Sequence, residues 1–302
     1  MAILKDLTTG ATIPLAARIV VGRATTASLR LVDKRVSGEH ATVRWTGSGW
    51  EVRDLGSRNG TFVGGVRVGP GEAAGVKVGT QLSFGDQEAR YELVDAAAPG
   101  PVARDLRTNA WVAAEDGMLA LPSSAQPECV VYGDPAGGWF AEGDDRRPVT
   151  DGDVLEIGGV PFALALPEMV DGTATVERAM RLDTIGLRFG VSRDEEHVVL
   201  TVVHRGEDVP LEPREHGYVL LTLARQRLDD AGEPSAEQGW IDRDRLLKML
   251  QLDANGLNVA IYRARGQLAS IGVDDAAGIV EVRRGQRRIG IPPERLEVKP
   301  LE

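Results

Sequence analysis

The sequence holds one cysteine, Cys129, among 302 residues. An intramolecular disulfide is therefore excluded, and so is a cysteine-rich zinc site. Histidine is scarce too: His40, His197, His204 and His216 stand at no metal-like or triad-like spacing. Neither a Gly-Lys-Thr phosphate loop nor a Gly-x-Ser-x-Gly elbow occurs. These absences point away from an enzyme: no catalytic residue, metal site or cofactor is expected. No apolar run approaches the ~18–20 residues that a spanning helix needs, and Met1 to Asp6 does not read as the start of a signal peptide. The expectation is a soluble protein of a reducing cytoplasm with no membrane partner. The Ala, Gly and Arg bias fits a high-GC bacterial genome.

Hydrophobic residues make up 42% of the chain, enough for real cores. Charge is uneven. Residues 1–100 hold 12 basic and 10 acidic side chains, residues 101–175 hold 4 and 13, and residues 176–302 hold 19 and 22. The excess acid is concentrated in the middle segment. Pro and Gly in Asp95-Ala96-Ala97-Ala98-Pro99-Gly100-Pro101 mark a linker, and a second is read over Pro167 to Thr175. Three modules follow, at 1–95, 101–167 and 176–302.

From Arg18 to Leu93 short strand-like runs alternate with Gly-containing turns. They include 18–21, 40–45, 50–53, 61–63 and 81–84, with turns at 46–49, 58–60, 63–65 and 70–71. That pattern predicts an all-β sandwich whose end loops gather polar residues. A phosphate site needs a cation and a hydroxyl or amide donor, and little else. Gly22-Arg23, Ser37-Gly38-Glu39-His40 and Ser57-Arg58-Asn59-Gly60-Thr61 supply these in turn. In that order and spacing the three pieces resemble the forkhead-associated (FHA) domain, a β-sandwich family that binds phosphothreonine peptides. The resemblance implies that Arg23 and Ser37 contact the phosphate, with Arg35 and Arg58 adding contacts nearby and Asn59 holding the peptide backbone. It gives structural roles to Gly22, His40, Gly60 and Thr61, with His40 bracing the loop that carries Ser37. Arg58 departs from the small polar residue more usual there. The implied partner is a phosphothreonine-containing protein or peptide, a Ser/Thr kinase or its substrate.

The middle segment again reads as strands and turns, at 129–132, 137–140 and 151–164. Its last run parallels 78–85, and Trp139 parallels Trp50. It looks like a degenerate FHA-like β module, with Glu128 about where His40 lies in the first copy. It has no Gly-Arg pair, no Ser-x-x-His and no Asn-Gly-Thr, so no phosphate binding is expected of it.

The last third reads as strands at 187–190, 198–203 and 209–211, then three helices, then a hairpin at 279–291 turning near Gly285. Helical spacing places Val219, Leu220, Leu223 and Ala224 on one apolar face, and Leu246, Leu247 and Leu250 on another. The third helix, from about Leu257 to Ser270, turns Val259, Ile261, Ala264 and Leu268 inward. Its outward side takes Asn255, Asn258, Tyr262, Arg263 and Arg265. Over 185–292 this order resembles the winged helix-turn-helix effector domain of the OmpR/PhoB type, an α+β fold. The resemblance implies a DNA-binding face: Asn258, Tyr262, Arg263 and Arg265 on the recognition helix, and Arg283, Arg284, Arg287 and Arg288 on the wing. The module as a whole is net acidic, so affinity for bulk DNA should be modest and salt-sensitive.

Two functions fit. One is a phosphothreonine-responsive, DNA-binding transcription regulator. The other is a phosphopeptide-binding adaptor whose winged helix contacts protein. Acid in the middle segment opposite an arginine hairpin also suggests that the two dock within one chain. A homodimer would form if one chain's FHA module bound a phosphothreonine on another.

Overall fold

The computed structural model describes residues 1–88, 90–169 and 180–301. The linker expected over 167–175 and the module start at 176 fall outside the described residues from position 170 on. The chain forms two compact units. One comprises Met1–Ala113, Asp151–Glu156 and Val160–Glu168; the other comprises Ala114–Thr150, Ile157–Gly159 and Met169–Glu302. The division runs through the segment that reads as one middle module.

The first unit is all β. A five-stranded sheet runs Leu29–Arg30, Arg18–Gly22, Ala41–Trp45, Trp50–Asp54, Ala73–Val76 in spatial order. A six-stranded sheet runs Thr12–Pro14, Ile3–Asp6, Tyr91–Asp95, Gln81–Phe84, Thr61–Val63, Val66–Val68. Alternation sets the inward faces: in Trp50–Asp54 the first, third and fifth residues are buried. Leu4, Ile19, Val21, Val43, Val52, Leu82 and Leu93 join one apolar core, each fully buried side chain contributing about 1.5–3 kcal/mol. That core does not stop at residue 95. Val102 is fully buried in it, and Trp111, Ala113 and Ala165 pack against it. They come from a four-stranded sheet ordered Trp111–Ala113, Val102–Asp105, Val160–Ala165, Val154–Ile157.

The second unit begins with an antiparallel meander of Leu119–Ser123, Gln126–Gly133, Trp139–Glu142 and Arg146–Val149. A second sheet runs Glu207–Pro210, Val198–His204, Ile185–Val191, Leu296–Pro300, the last strand parallel to its neighbour. Between Glu207–Pro210 and Leu296–Pro300 in sequence lie helices α1 (Gly217–Asp229), α2 (Arg243–Leu250) and α3 (Ala254–Ser270). Asp242 caps α2 by accepting from the amides of Asp244 and Arg245, and Asp253 caps α3 through the Gly256 amide. Strands Val280–Arg283 and Gln286–Ile289 pair as a hairpin with Gly285 at its turn, and Ile241–Asp242 adds a third strand. The helices, Ile185–Val191 and the hairpin share one core around Phe189, Leu220, Leu223, Leu246, Ile261 and Leu268.

A smaller apolar cluster joins the meander to α3, with Met118, Ala120, Val130 and Tyr132 against Tyr262 and Ala277. The third helix does not present all of the outward side read for it, since Tyr262 and Arg265 are buried. Tyr262 is 8% exposed and Arg265 is 1% exposed, because the meander covers them, whereas Val259, read as inward, is only half-buried.

Candidate functional site

The first unit brings the three sequence pieces together at one end of its five-stranded sheet. Gly22 ends strand Arg18–Gly22, where the chain passes very close to the loop ahead of His40. A Cβ at position 22 would stand 2.0 Å from the Gly38 carbonyl oxygen, so only glycine fits. The Arg23 amide then donates to the Ser37 carbonyl at 2.8 Å, and Arg23 Nε donates to the Val36 carbonyl at 3.3 Å. The guanidinium is exposed and meets no carboxylate among the described residues.

His40 lies beneath the loop that carries Ser37. It is fully buried. Its Nδ1 accepts from the Ser37 amide at 3.0 Å, and its Nε2 pairs with the Gly60 carbonyl at 3.0 Å. A ring that accepts at Nδ1 must carry its proton on Nε2, so it is the neutral tautomer. Burial keeps its pKa below the ordinary histidine value, although the Gly60 bond and the Asp54 charge work the other way. The Ser37 hydroxyl accepts from the Arg58 amide at 3.2 Å, which places the second loop against the first. Asn59 donates through Nδ2 to the Arg35 carbonyl at 2.7 Å. The loops bearing Arg23, Ser37, Arg58 and Asn59 are thus one bonded assembly.

Arg35 stands apart in its bonding. Its guanidinium pairs with Asp33 at 2.7 Å and with Asp86 at 2.5 Å. The Arg35 hydrogen bonds hold the Asp33 carboxyl well below the usual range. Arg35 therefore lies at the site through its backbone, while its charge is balanced by two carboxylates.

Asp54 is a site residue missing from the sequence reading. It is 1% exposed. Its Oδ1 accepts from the Gly56 and Ser57 amides at 2.8 and 2.9 Å, and its Oδ2 accepts from the Ser57 and Thr61 hydroxyls at 2.6 and 2.7 Å. Burial opposes its charge, but these bonds together outweigh burial and keep its pKa low. The Ser57 hydroxyl in turn accepts from the Gly60 amide at 3.0 Å. Asp54 is the hub that shapes the turn from 55 to 61, and Thr61 serves it through its hydroxyl. The parity of its strand was the available signal, since it turns inward with Trp50 and Val52.

The residues read as a DNA face are dispersed. Arg263 is exposed, with no ion pair among the described residues. Arg265 is buried, donating from Nη2 to Glu142 Oε1 at 2.5 Å and to the Val280 carbonyl at 2.7 Å. Glu142 Oε2 accepts from the Tyr132 hydroxyl at 2.8 Å. Tyr262 reaches Glu115 at 3.4 Å through its hydroxyl, and burial is the main cause pushing its pKa up to about 12. Asn258 is half-buried beside Glu142, Arg265 and Arg287.

The hairpin arginines fall on two faces, because Glu281 stands opposite Arg288 and Val282 opposite Arg287. Arg283 pairs with Glu237 at 3.0 Å and Arg288 with Glu281 at 2.5 Å, and both guanidinium groups lie within 4.5 Å of the Trp240 ring centroid. Arg287 is 2% exposed, donates to the Gly143 carbonyl at 2.8 Å, and has its pKa lowered by burial. Arg284 is exposed, in the left-handed region at φ 47°. These side chains do not form one open basic surface. No helix among the described residues is long and apolar enough to cross a membrane.

Residues 19–85 match the FHA domain family. The FHA domain-containing protein FhaB of Mycobacterium tuberculosis is 40% identical over 78 residues, covering 26% of this chain and 49% of that protein. The chain thus spans about half the length of the curated relatives it matches. Among solved structures, EmbR of Mycobacterium tuberculosis, in complex with a low affinity phosphopeptide, is 30% identical with a TM-score of 0.29, covering 33% of this chain and 26% of that one. The FHA domain of the CT664 protein from Chlamydia trachomatis is 26% identical with a TM-score of 0.29, covering 32% of this chain and 98% of that one. The N-terminal region of this chain, which holds Arg23, Ser37, His40 and Asn59, is an FHA domain.

Proposed function

We propose that this protein is a phosphothreonine-responsive signalling protein, and that its second unit answers the signal by binding DNA. A phosphothreonine side chain brings about two negative charges and three strong acceptor oxygens. Arg23 supplies the planar cation for them, and the Ser37 hydroxyl supplies a donor beside it. Asn59 is suited to the peptide backbone, and Arg58 adds charge nearby. The observation that carries this reading is the Arg23 guanidinium. It is exposed, anchored by the Val36 carbonyl, and unopposed by any carboxylate among the described residues. FHA domains are phosphothreonine-peptide modules of signalling, which supports the same role here. The partner is then a kinase or a kinase substrate, or a phosphorylated second copy of this chain.

The DNA-binding output rests on the order of strands, three helices and hairpin over 185–292, with arginines on α3 and the hairpin. Burial of Arg265 and Arg287 favours a second reading, in which that face docks protein and the whole is an adaptor. Titration of the full chain with a pool of peptides centred on phosphothreonine, and separately with random duplex DNA at low and physiological salt, tests both halves. Binding to phosphorylated peptides alone, lost in Arg23→Ala, is the expected result for the first unit. DNA binding that weakens steeply with salt is expected for the second. Peptide binding without any DNA binding favours the adaptor.

A further inference from the structure

The meander turns between Trp139–Glu142 and Arg146–Val149 at a corner of sequence Glu142-Gly143-Asp144-Asp145. Each of these four residues presents an oxygen to the arginine-bearing face. The Glu142 carboxylate takes Arg265 Nη2 at 2.5 Å. The Gly143 carbonyl accepts from Arg287 Nη2 at 2.8 Å. Asp144 pairs with Arg243 at 2.9 Å, and its carbonyl accepts from the Gly285 amide at 3.1 Å. The Asp145 carboxylate accepts from the Arg284 amide at 3.3 Å. Guanidinium groups and backbone amides at a hairpin turn are the donors that hold nucleic-acid phosphates. Here a run of protein oxygens fills them.

We propose that the Glu142–Asp145 corner is an intramolecular competitor of duplex DNA, holding the α3 and hairpin donors closed until the corner leaves. This rests on the DNA-binding reading above and adds its regulation. Three further observations support a separable lid. The core of α1, α2, α3 and the hairpin draws on residues from 180 onward and, among the described residues, on none from the meander. The helical body therefore keeps its core when the meander moves. The contact itself is a small apolar cluster around a buried ion pair. Desolvation offsets much of the attraction in such a pair, so it contributes register more than strength. Arg265 Nε and Arg243 Nε are also buried without a hydrogen-bond partner, which further weakens the closed form.

The test uses the full chain and two variants, Asp144→Asn with Asp145→Asn, and Glu142→Gln. Asp144 and Asp145 are exposed, so the first variant leaves every core intact. The second keeps the shape of a buried side chain and removes only its charge. Two readouts are taken: hydrogen exchange at the Arg284 and Gly285 amides, which bond to the corner, and anisotropy with random duplex DNA at low salt. Faster exchange at both amides together with at least tenfold tighter DNA binding in both variants is the expected result. DNA binding equal in wild type and variants overturns the competitor role while leaving the DNA-binding reading in place. If neither wild type nor variants bind DNA although exchange quickens, the DNA-binding reading itself fails and the competitor role falls with it.

Discussion

His40 and Ser37 are joined side chain to backbone: the Ser37 amide donates to His40 Nδ1 at 3.0 Å, while the other ring nitrogen reaches the Gly60 carbonyl. One buried imidazole thus fixes both loops of the proposed phosphate site. The arrangement works only with a neutral ring, because a proton on Nδ1 would set donor against donor.

A pH dependence follows, with a definite sign. The folded pKa of His40 lies below its value in the unfolded chain, about 6.5. As pH falls below that value the unfolded chain takes up the proton first, and stability is lost progressively toward the lower folded pKa. Above it the contribution is fully present. His216, whose pKa burial also lowers, adds a parallel loss in the second unit. The midpoint of the first unit's thermal unfolding should therefore fall between pH 7.5 and pH 5.5, and fall less in His40→Asn. Thermal scans at the two pH values, read on the first unit's transition, measure this.

Asp54→Ala should destabilise the first unit by about 2–4 kcal/mol, since it strands two buried hydroxyls and two amides in one step. Denaturant unfolding measures that loss. Peptide affinity should drop with it although Asp54 touches no ligand, because the 55–61 turn carries Arg58 and Asn59.

The buried pair Arg265–Glu142 should behave asymmetrically. Arg265→Ala alone should cost about 3–5 kcal/mol in the second unit by leaving Glu142 buried and unpaired, whereas Arg265→Met with Glu142→Leu should be near neutral or stabilising. Denaturant midpoints of the two variants decide it. Equal losses in both would mean that the charges themselves stabilise the contact.

The gathering of the candidate site's loops was largely legible because their parts are local. Gly22-Arg23, Ser37 with His40, and Asn59-Gly60 each encode a turn by their own chemistry, and the structure gathers those turns at one end of a sheet. The bonding of Arg35 was not legible, since Asp86 lies 51 positions away and nothing in either segment names the other. Asp54 was half-legible: strand parity turns it inward, but its partners Ser57 and Thr61 read first as turn residues. The helices of the last third came through their spacing, and the faces of α1 and α2 followed. Tyr262 and Arg265 did not. Helical periodicity separates a polar side from an apolar one, but it carries no sign of a second layer that covers the polar side. Glu142, the partner of Arg265, is 123 positions away.

Arg23 carries the proposed phosphothreonine recognition. Isothermal titration of the full chain with a phosphothreonine peptide pool, its unphosphorylated counterpart, and Arg23→Ala measures this directly. Saturable binding to the phosphorylated pool only, weakened about 100-fold or more by Arg23→Ala as a charge-assisted fork is lost, with thermal stability unchanged, is the expected result. Equal binding of both pools, or full affinity in Arg23→Ala, would contradict it.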